Sequence, residues 1–156
     1  DCSSRGLGDV YKRQVEHVAL IKGDISTPDP VLVRMHSLNM MTDLLGEVSE
    51  RRDGHELETA MQTISEQGRG VVVLLRESSK ASLSETISAA VSGSSAPDTA
   101  QGLREYGVGA QILSELGVSR MVLLSERPAN VISLDGYDLE IVDWRRFNGE
   151  PGNPAE

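Results

Sequence analysis

The stretch HELETAMQTISEQGRGVVVLL, residues 55–75, joins a helix directly to a strand. Its first part has a helical period: Leu57, Met61 and Ile64 share one face, with Ala60 beside them. Gly68 and Gly70 end that helix. Val71, Val72, Val73, Leu74 and Leu75 follow without a polar residue. Such a run predicts a strand apolar on both faces, and therefore central in its sheet. A helix feeding a buried strand is a unit of α/β or α+β folds.

Upstream, His17 to Lys22 alternates and predicts a strand closed by Gly23-Asp24. Pro28 and Pro30 mark a turn, and Val31 to Leu38 reads as a second strand. The short loop between these two runs suggests an antiparallel pair. Residues 40–53 lack a clear period, and Gly46 with the charged run ending at Asp53 points to a loop. Asp53 followed by Glu56 has the spacing of a helix N-cap.

Downstream, residues 76–83 form a loop, 84–91 a helix, and 93–99 a Ser, Pro and Gly-rich surface segment. Leu103 to Leu116 reads as a helix capped by Gly117. Met121–Leu124 and Leu139–Val142 read as strands, with a brief helix opened by Pro128 between them. The fold class expected is α/β, bordering on α+β: a mixed β-sheet with helices packed on it.

Composition narrows the function. Aromatics are only 3% of residues, so the core is built from branched aliphatics, Met and Ala. The net charge of -9 disfavours nucleic acid and anionic membranes as partners. Residues 1–14 have no periodicity and resemble the translation of a sequencing adapter, so they are set aside. The expected domain is 15–146, with 147–156 as a disordered tail. Cys2, the one cysteine, falls in the excluded segment, so the domain itself carries no thiolate for a metal.

No constellation in the residues alone commands a chemistry. His17, His36 and His55 are spread over three elements without a ligand spacing. Gly68-Arg69-Gly70 is a helix cap rather than a phosphate loop, since it precedes a strand. Arg76 and Lys80 follow the central strand, where α/β folds place ligands, but a plain solvated loop is the preferred reading of them. No nucleophile elbow is present.

Four blocks add a resemblance. They are Gly23-Asp24-Ile25, Arg34-Met35-His36-Ser37, Glu66-Gln67-Gly68-Arg69-Gly70, and the run Leu103-Arg104-Glu105-Tyr106-Gly107-Val108-Gly109-Ala110-Gln111-Ile112-Leu113. In order and spacing they resemble GTP cyclohydrolase II, over roughly residues 16–144. That resemblance implies the family's fold. It also implies an enzyme that opens the imidazole ring of GTP and releases formate and pyrophosphate. Active members hold zinc on three cysteines and magnesium on the phosphates, and the zinc activates water.

Carried over by position, the three ligand places hold Asn39, Arg51 and Asp53, with one residue gained in the spacing. The phosphate loop reads Glu77 to Ser82, with Ser79 or Lys80 at its arginine. The acid position is Gly102, and the later lysine position is Asn130. Arg34 and Ser125 remain at substrate-binding positions, and Arg104 remains at the family's reactive arginine. The resemblance thus implies a domain with neither a catalytic set nor a metal or other cofactor.

The wording of Val33 to Asp43 and Gly70 to Glu77 resembles a degenerate form of this domain. That form lies C-terminal in 3,4-dihydroxy-2-butanone 4-phosphate synthase, a magnesium-dependent lyase of riboflavin biosynthesis. The expectation is a cytoplasmic, homodimeric, non-catalytic domain with a structural or regulatory role, whose N-terminal synthase domain is missing here. Two readings stay open beside it. One is an active cyclohydrolase with an altered metal site drawing on His36, Asp43, Asp53 or His55. The other is a purine-nucleotide sensor without chemistry. Loss of the metal further predicts that 39–53 is the least ordered internal segment besides 93–99.

Overall fold

The computed structural model describes residues 16–39, 43, 55–76, 83–93, 99–125 and 136–147. Eight elements follow one another: β1 (Val18–Lys22), β2 (Val31–Leu38), α1 (Glu56–Gln67), β3 (Gly70–Arg76), α2 (Leu83–Ser92), α3 (Thr99–Glu115), β4 (Arg120–Leu124) and β5 (Glu140–Arg145). The expected elements that fall on described residues all form. The last strand runs three residues further than its apolar pattern, because it ends on the half-buried Trp144 and Arg145.

The strands make one sheet in the order β1-β3-β2-β4-β5. β2 pairs in parallel with both β3 and β4, and β4 in parallel with β5. β1 is the antiparallel edge, bonded to β3 from Val18 opposite Leu74 to Lys22 opposite Gly70. The expected β1–β2 hairpin therefore does not form: β3 inserts between them. A free backbone edge on the apolar β3 is better satisfied by β1, which leaves β2 to pair on both of its sides. β2 is also the middle strand, and β3 stands one place from the edge.

Two glycines shape the turn into β3. Gly68 has φ +75 and caps α1, its N–H donating to the carbonyls of Ile64 and Ser65. Gly70 already belongs to β3, and a Cβ there would meet the Leu32 carbonyl at 2.7 Å and Ile64 Cγ2 at 2.8 Å. Only glycine lets the strand approach so closely.

Helices cover both faces, giving three layers. On one face Val31, Val33, Met35, Val71, Val73, Leu75 and Met121 meet Ala110 and Leu113 of α3. On the other, Leu32, Val72 and Leu124 meet Ala60 and Ile64 of α1. Met61, expected on the buried stripe of α1, is 45% exposed, because Leu57, Ala60 and Ile64 alone form the seam. α1 begins at Glu56 with His55 as its cap and no side-chain cap bond. Asp53, the expected cap, lies outside the described residues, as do 1–15, 77–82, 94–98, 126–135 and 148–156. Phe147, at the border drawn after 146, packs beside the α1-side cluster. Among the described residues no helix is long and apolar enough to cross a membrane.

Candidate functional site

Side chains two apart on a strand share a face. On β2 the α1-facing series runs Leu32, Arg34, His36. An apolar series thus turns polar toward the carboxyl end of the strand, where α/β folds place their ligands. Arg34 and His36 are 9% and 6% exposed, so both need partners within the protein.

They have them. Arg34 Nη2 donates to Glu56 Oε2 at 2.8 Å, from the first turn of α1. Its Nη1 donates to the Leu124 carbonyl at 3.3 Å, at the end of β4. The guanidinium lies 5.1 Å from the centre of the Phe147 ring, a cation–π distance. His36 Nε2 is 2.8 Å from Asp43 Oδ1. The same carboxylate accepts the Asn39 backbone N–H through Oδ2 at 2.7 Å, and the Asp43 N–H donates back to the Asn39 carbonyl at 2.8 Å. Asp43, His36, Arg34 and Glu56 therefore form one continuous polar chain across the carboxyl end of β2.

The charge state of His36 follows from its surroundings. Burial holds its pKa below the ordinary value of 6.5, while the Asp43 carboxylate pulls the other way. Arg34 adds a lowering influence and Glu56 a raising one. At neutral pH the ring is therefore uncharged and carries one proton. Placed on Nε2, that proton is donated to Asp43. Nδ1 is then an acceptor facing Arg34 Nη2 at 3.5 Å. Every polar atom of the ring has a use in this tautomer.

Ser125 follows β4 and is buried. Its N–H donates to the Arg145 carbonyl at 2.9 Å, and its carbonyl accepts from Trp144 Nε1 at 2.7 Å. Arg34 is thus held on the Leu124 carbonyl, which precedes Ser125 in the chain. Gly102 and Arg104 lie in α3, which covers the opposite face. Gly109 of that helix sits against Met35 and Leu75. The side chain of Arg104 lies outside the described residues. So do Arg51, Asp53, Ser79, Lys80 and Asn130.

Of the three ligand positions only Asn39 is described, and it closes the one-turn bond with Asp43. Active relatives hold zinc on cysteines, and an amide offers the metal no thiolate. Among the described residues no three His, Cys, Asp or Glu side chains gather in a metal-binding cluster. His55, another candidate ligand, is 72% exposed and lies 3.5 Å from Glu58 on its own helix. Glu56 and Phe147 were not legible as site residues. Glu56 reads as part of a capping box, and Phe147 falls past the expected domain end. The available signal was the pair Arg34 and His36 on the buried face of an otherwise apolar strand, since such groups demand a carboxylate nearby.

Comparison with known proteins agrees with this architecture. The sequence model of the family described as GTP cyclohydrolase II matches residues 9–146. The riboflavin biosynthesis protein RibBA of Bacillus cytotoxicus is 40% identical over 141 residues, covering 83% of this chain and 35% of that protein. RibBA of Chlorobium phaeovibrioides is 40% identical over 152 residues, covering 90% of this chain and 37% of its own. RibBA of Rhodococcus erythropolis is 41% identical over 154 residues, with 88% and 36% covered. The chain spans about a third of the length of these relatives. A family model covering most of the chain, over a sheet that sets Arg34 on the carbonyl preceding Ser125, makes this chain a member of the GTP cyclohydrolase II family.

Proposed function

We propose that this chain is a catalytically silent GTP cyclohydrolase II domain of a riboflavin-biosynthesis protein, serving as a structural, dimerising or regulatory unit. The observation that carries the reading is Asn39. It stands at a position where active members place a zinc thiolate, and its backbone is folded onto Asp43. Arg51 and Asp53 at the other two positions extend it: a guanidinium repels a cation and a single carboxylate does not replace three thiolates. Without zinc there is no activated water for attack on the imidazole carbon.

The surviving Arg34 supports the same reading. Its guanidinium is held by Glu56, by the Leu124 carbonyl and over Phe147. It works as an internal tie between β2, β4 and α1. The domain takes no cofactor of its own. In the longer protein its partner is a 3,4-dihydroxy-2-butanone 4-phosphate synthase domain that uses magnesium, and two copies of this domain associate.

A turnover assay with GTP on the full chain, with metal analysis of the same sample, tests this. The expected result is neither formate release nor stoichiometric zinc. Formate release with one zinc per chain would sink the proposal in favour of an active enzyme with an altered site built on His36, Asp43, Asp53 or His55. Saturable GTP binding by calorimetry without turnover would make the domain a purine-nucleotide sensor.

A further inference from the structure

The end of β5 closes over the carboxyl end of β2. Trp144 Nε1 donates to the Ser125 carbonyl at 2.7 Å, and the Arg145 carbonyl accepts the Ser125 N–H at 2.9 Å. Just beyond, the half-buried Phe147 carries its ring under the Arg34 guanidinium, 5.1 Å from centre to Cζ. A guanidinium has two uses: its edge donates hydrogen bonds and its flat face stacks on an aromatic ring. In Arg34 the edge is engaged by Glu56 Oε2 and the Leu124 carbonyl. The ring beside it comes from the chain itself.

We propose that Phe147 is an internal ligand. Its ring takes the place of a planar heteroaromatic molecule and keeps such a molecule off Arg34, at the end of the sheet where α/β folds bind ligands. This rests on the reading of a silent domain above and gives that silence a steric cause of its own.

The contact is built to be displaced. The Phe147 carbonyl accepts from Thr63 Oγ at 3.3 Å, while the same hydroxyl donates to the Thr59 carbonyl at 2.8 Å. One hydroxyl proton serves both, and the shorter bond takes most of it. Releasing Phe147 therefore leaves Thr63 satisfied within α1. The ring gives up its place over Arg34 and a partly buried apolar seat beside Ala60 and Ile64. An incoming flat ring replaces the first, so only the second opposes it. Ser125 meanwhile holds Trp144 and Arg145 in the sheet, and the exposed Arg146 stands between the fixed part and the ring.

Calorimetry of the full chain with GTP, guanosine and tripolyphosphate tests this, with folding of every variant checked by circular dichroism. Phe147→Ala is expected to bind GTP and guanosine about tenfold more tightly than the unaltered chain, since the cation–π contact passes to the ligand. Phe147→Leu, which keeps apolar contact with α1 without a ring, is expected to gain in the same direction. Phe147→Tyr keeps a ring and should gain nothing. In the Phe147→Ala background, Arg34→Lys retains the charge without the flat face and should lose the gain. Phenylglyoxal should modify Arg34 faster in Phe147→Ala than in the unaltered chain, and guanosine should slow it.

Equal affinities in the unaltered chain and in both ringless variants overturn the occlusion and leave the silent domain standing. A gain shared by tripolyphosphate also overturns it, because the site would then read charge and not a ring. So does a gain that survives Arg34→Lys. Formate released by Phe147→Ala but not by the unaltered chain would uphold the occlusion and overturn the silent domain.

Discussion

The two faces of the sheet solve different problems with the same strands. On the α3 face, β2 presents Val31, Val33 and Met35 to a wholly apolar layer. On the α1 face the same strand presents Leu32, then Arg34 and His36. The first face is held by area and close packing. The second is held at its carboxyl end by paired charge. Here Glu56, Asp43, Phe147 and the Leu124 carbonyl hold Arg34 and His36 inside the protein. Those bonds tie β2, β4 and α1 together at the carboxyl end of the sheet.

The comparison breaks most visibly on the apolar side. Leu113 is 0% exposed between α3 and the sheet. Leu113→Ala removes its buried methyl groups and leaves a cavity, with an expected loss of about 2–5 kcal/mol in urea unfolding. Next comes Arg34→Leu, which strands the Glu56 carboxylate. Because Glu56 keeps 20% side-chain exposure, the expected loss is about 2–3 kcal/mol, at the lower end for broken buried pairs. Adding Glu56→Leu should recover much of it, since an apolar replacement of both partners leaves no buried charge. A double variant less stable than Arg34→Leu would show that the polar face depends on the charge pair itself.

Titration distinguishes the faces as well. Burial puts the folded pKa of His36 below the unfolded 6.5. Between those values the unfolded chain binds a proton that the folded chain refuses. Stability from this group is therefore full above 6.5 and falls as pH drops through that window, with a slope of at most about 1.4 kcal/mol per pH unit. His36→Gln should lose that slope, as read from urea midpoints between pH 7 and 5. An unchanged slope in the variant would assign the dependence to other groups.

What the sequence revealed divides along the same line. The apolar face was legible because Val71 to Leu75 and Val31 to Leu38 leave no choice but buried strands. Strand order was not: the short loop after β1 argues for a hairpin, and only the three-dimensional competition for the edge of β3 seats β1 there. The family resemblance singled out Arg34 and Ser125 as retained positions, and the structure sets Arg34 on the carbonyl that precedes Ser125. It could not give Glu56 or Phe147, which lie 22 and 113 residues from Arg34 and meet it only once α1 and β5 have packed. Partners that close a buried charge are set by tertiary contact, and spacing along the chain carries no mark of them.

The seam between β4 and β5 gives the smallest effect and the narrowest test. Ser125 leaves β4 next to Leu124, whose carbonyl receives Arg34. Trp144 Nε1 holds the next carbonyl, that of Ser125, at 2.7 Å, and the Ser125 N–H reaches back to Arg145. Trp144→Phe keeps an aromatic ring and deletes only the donor. A single neutral hydrogen bond contributes about 1 kcal/mol, so the expected loss is about that or less. If this bond also fixes where the Leu124 carbonyl points, Arg34 feels its loss. The coupling is measurable as a double-mutant cycle with Arg34→Leu, since the two residues hold the consecutive carbonyls of Leu124 and Ser125. A coupling energy of about 0.5 kcal/mol or more would tie the polar chain to the sheet edge. Strict additivity would confine it to β2, α1 and the Asn39–Asp43 turn, with the β4–β5 seam serving only as backbone.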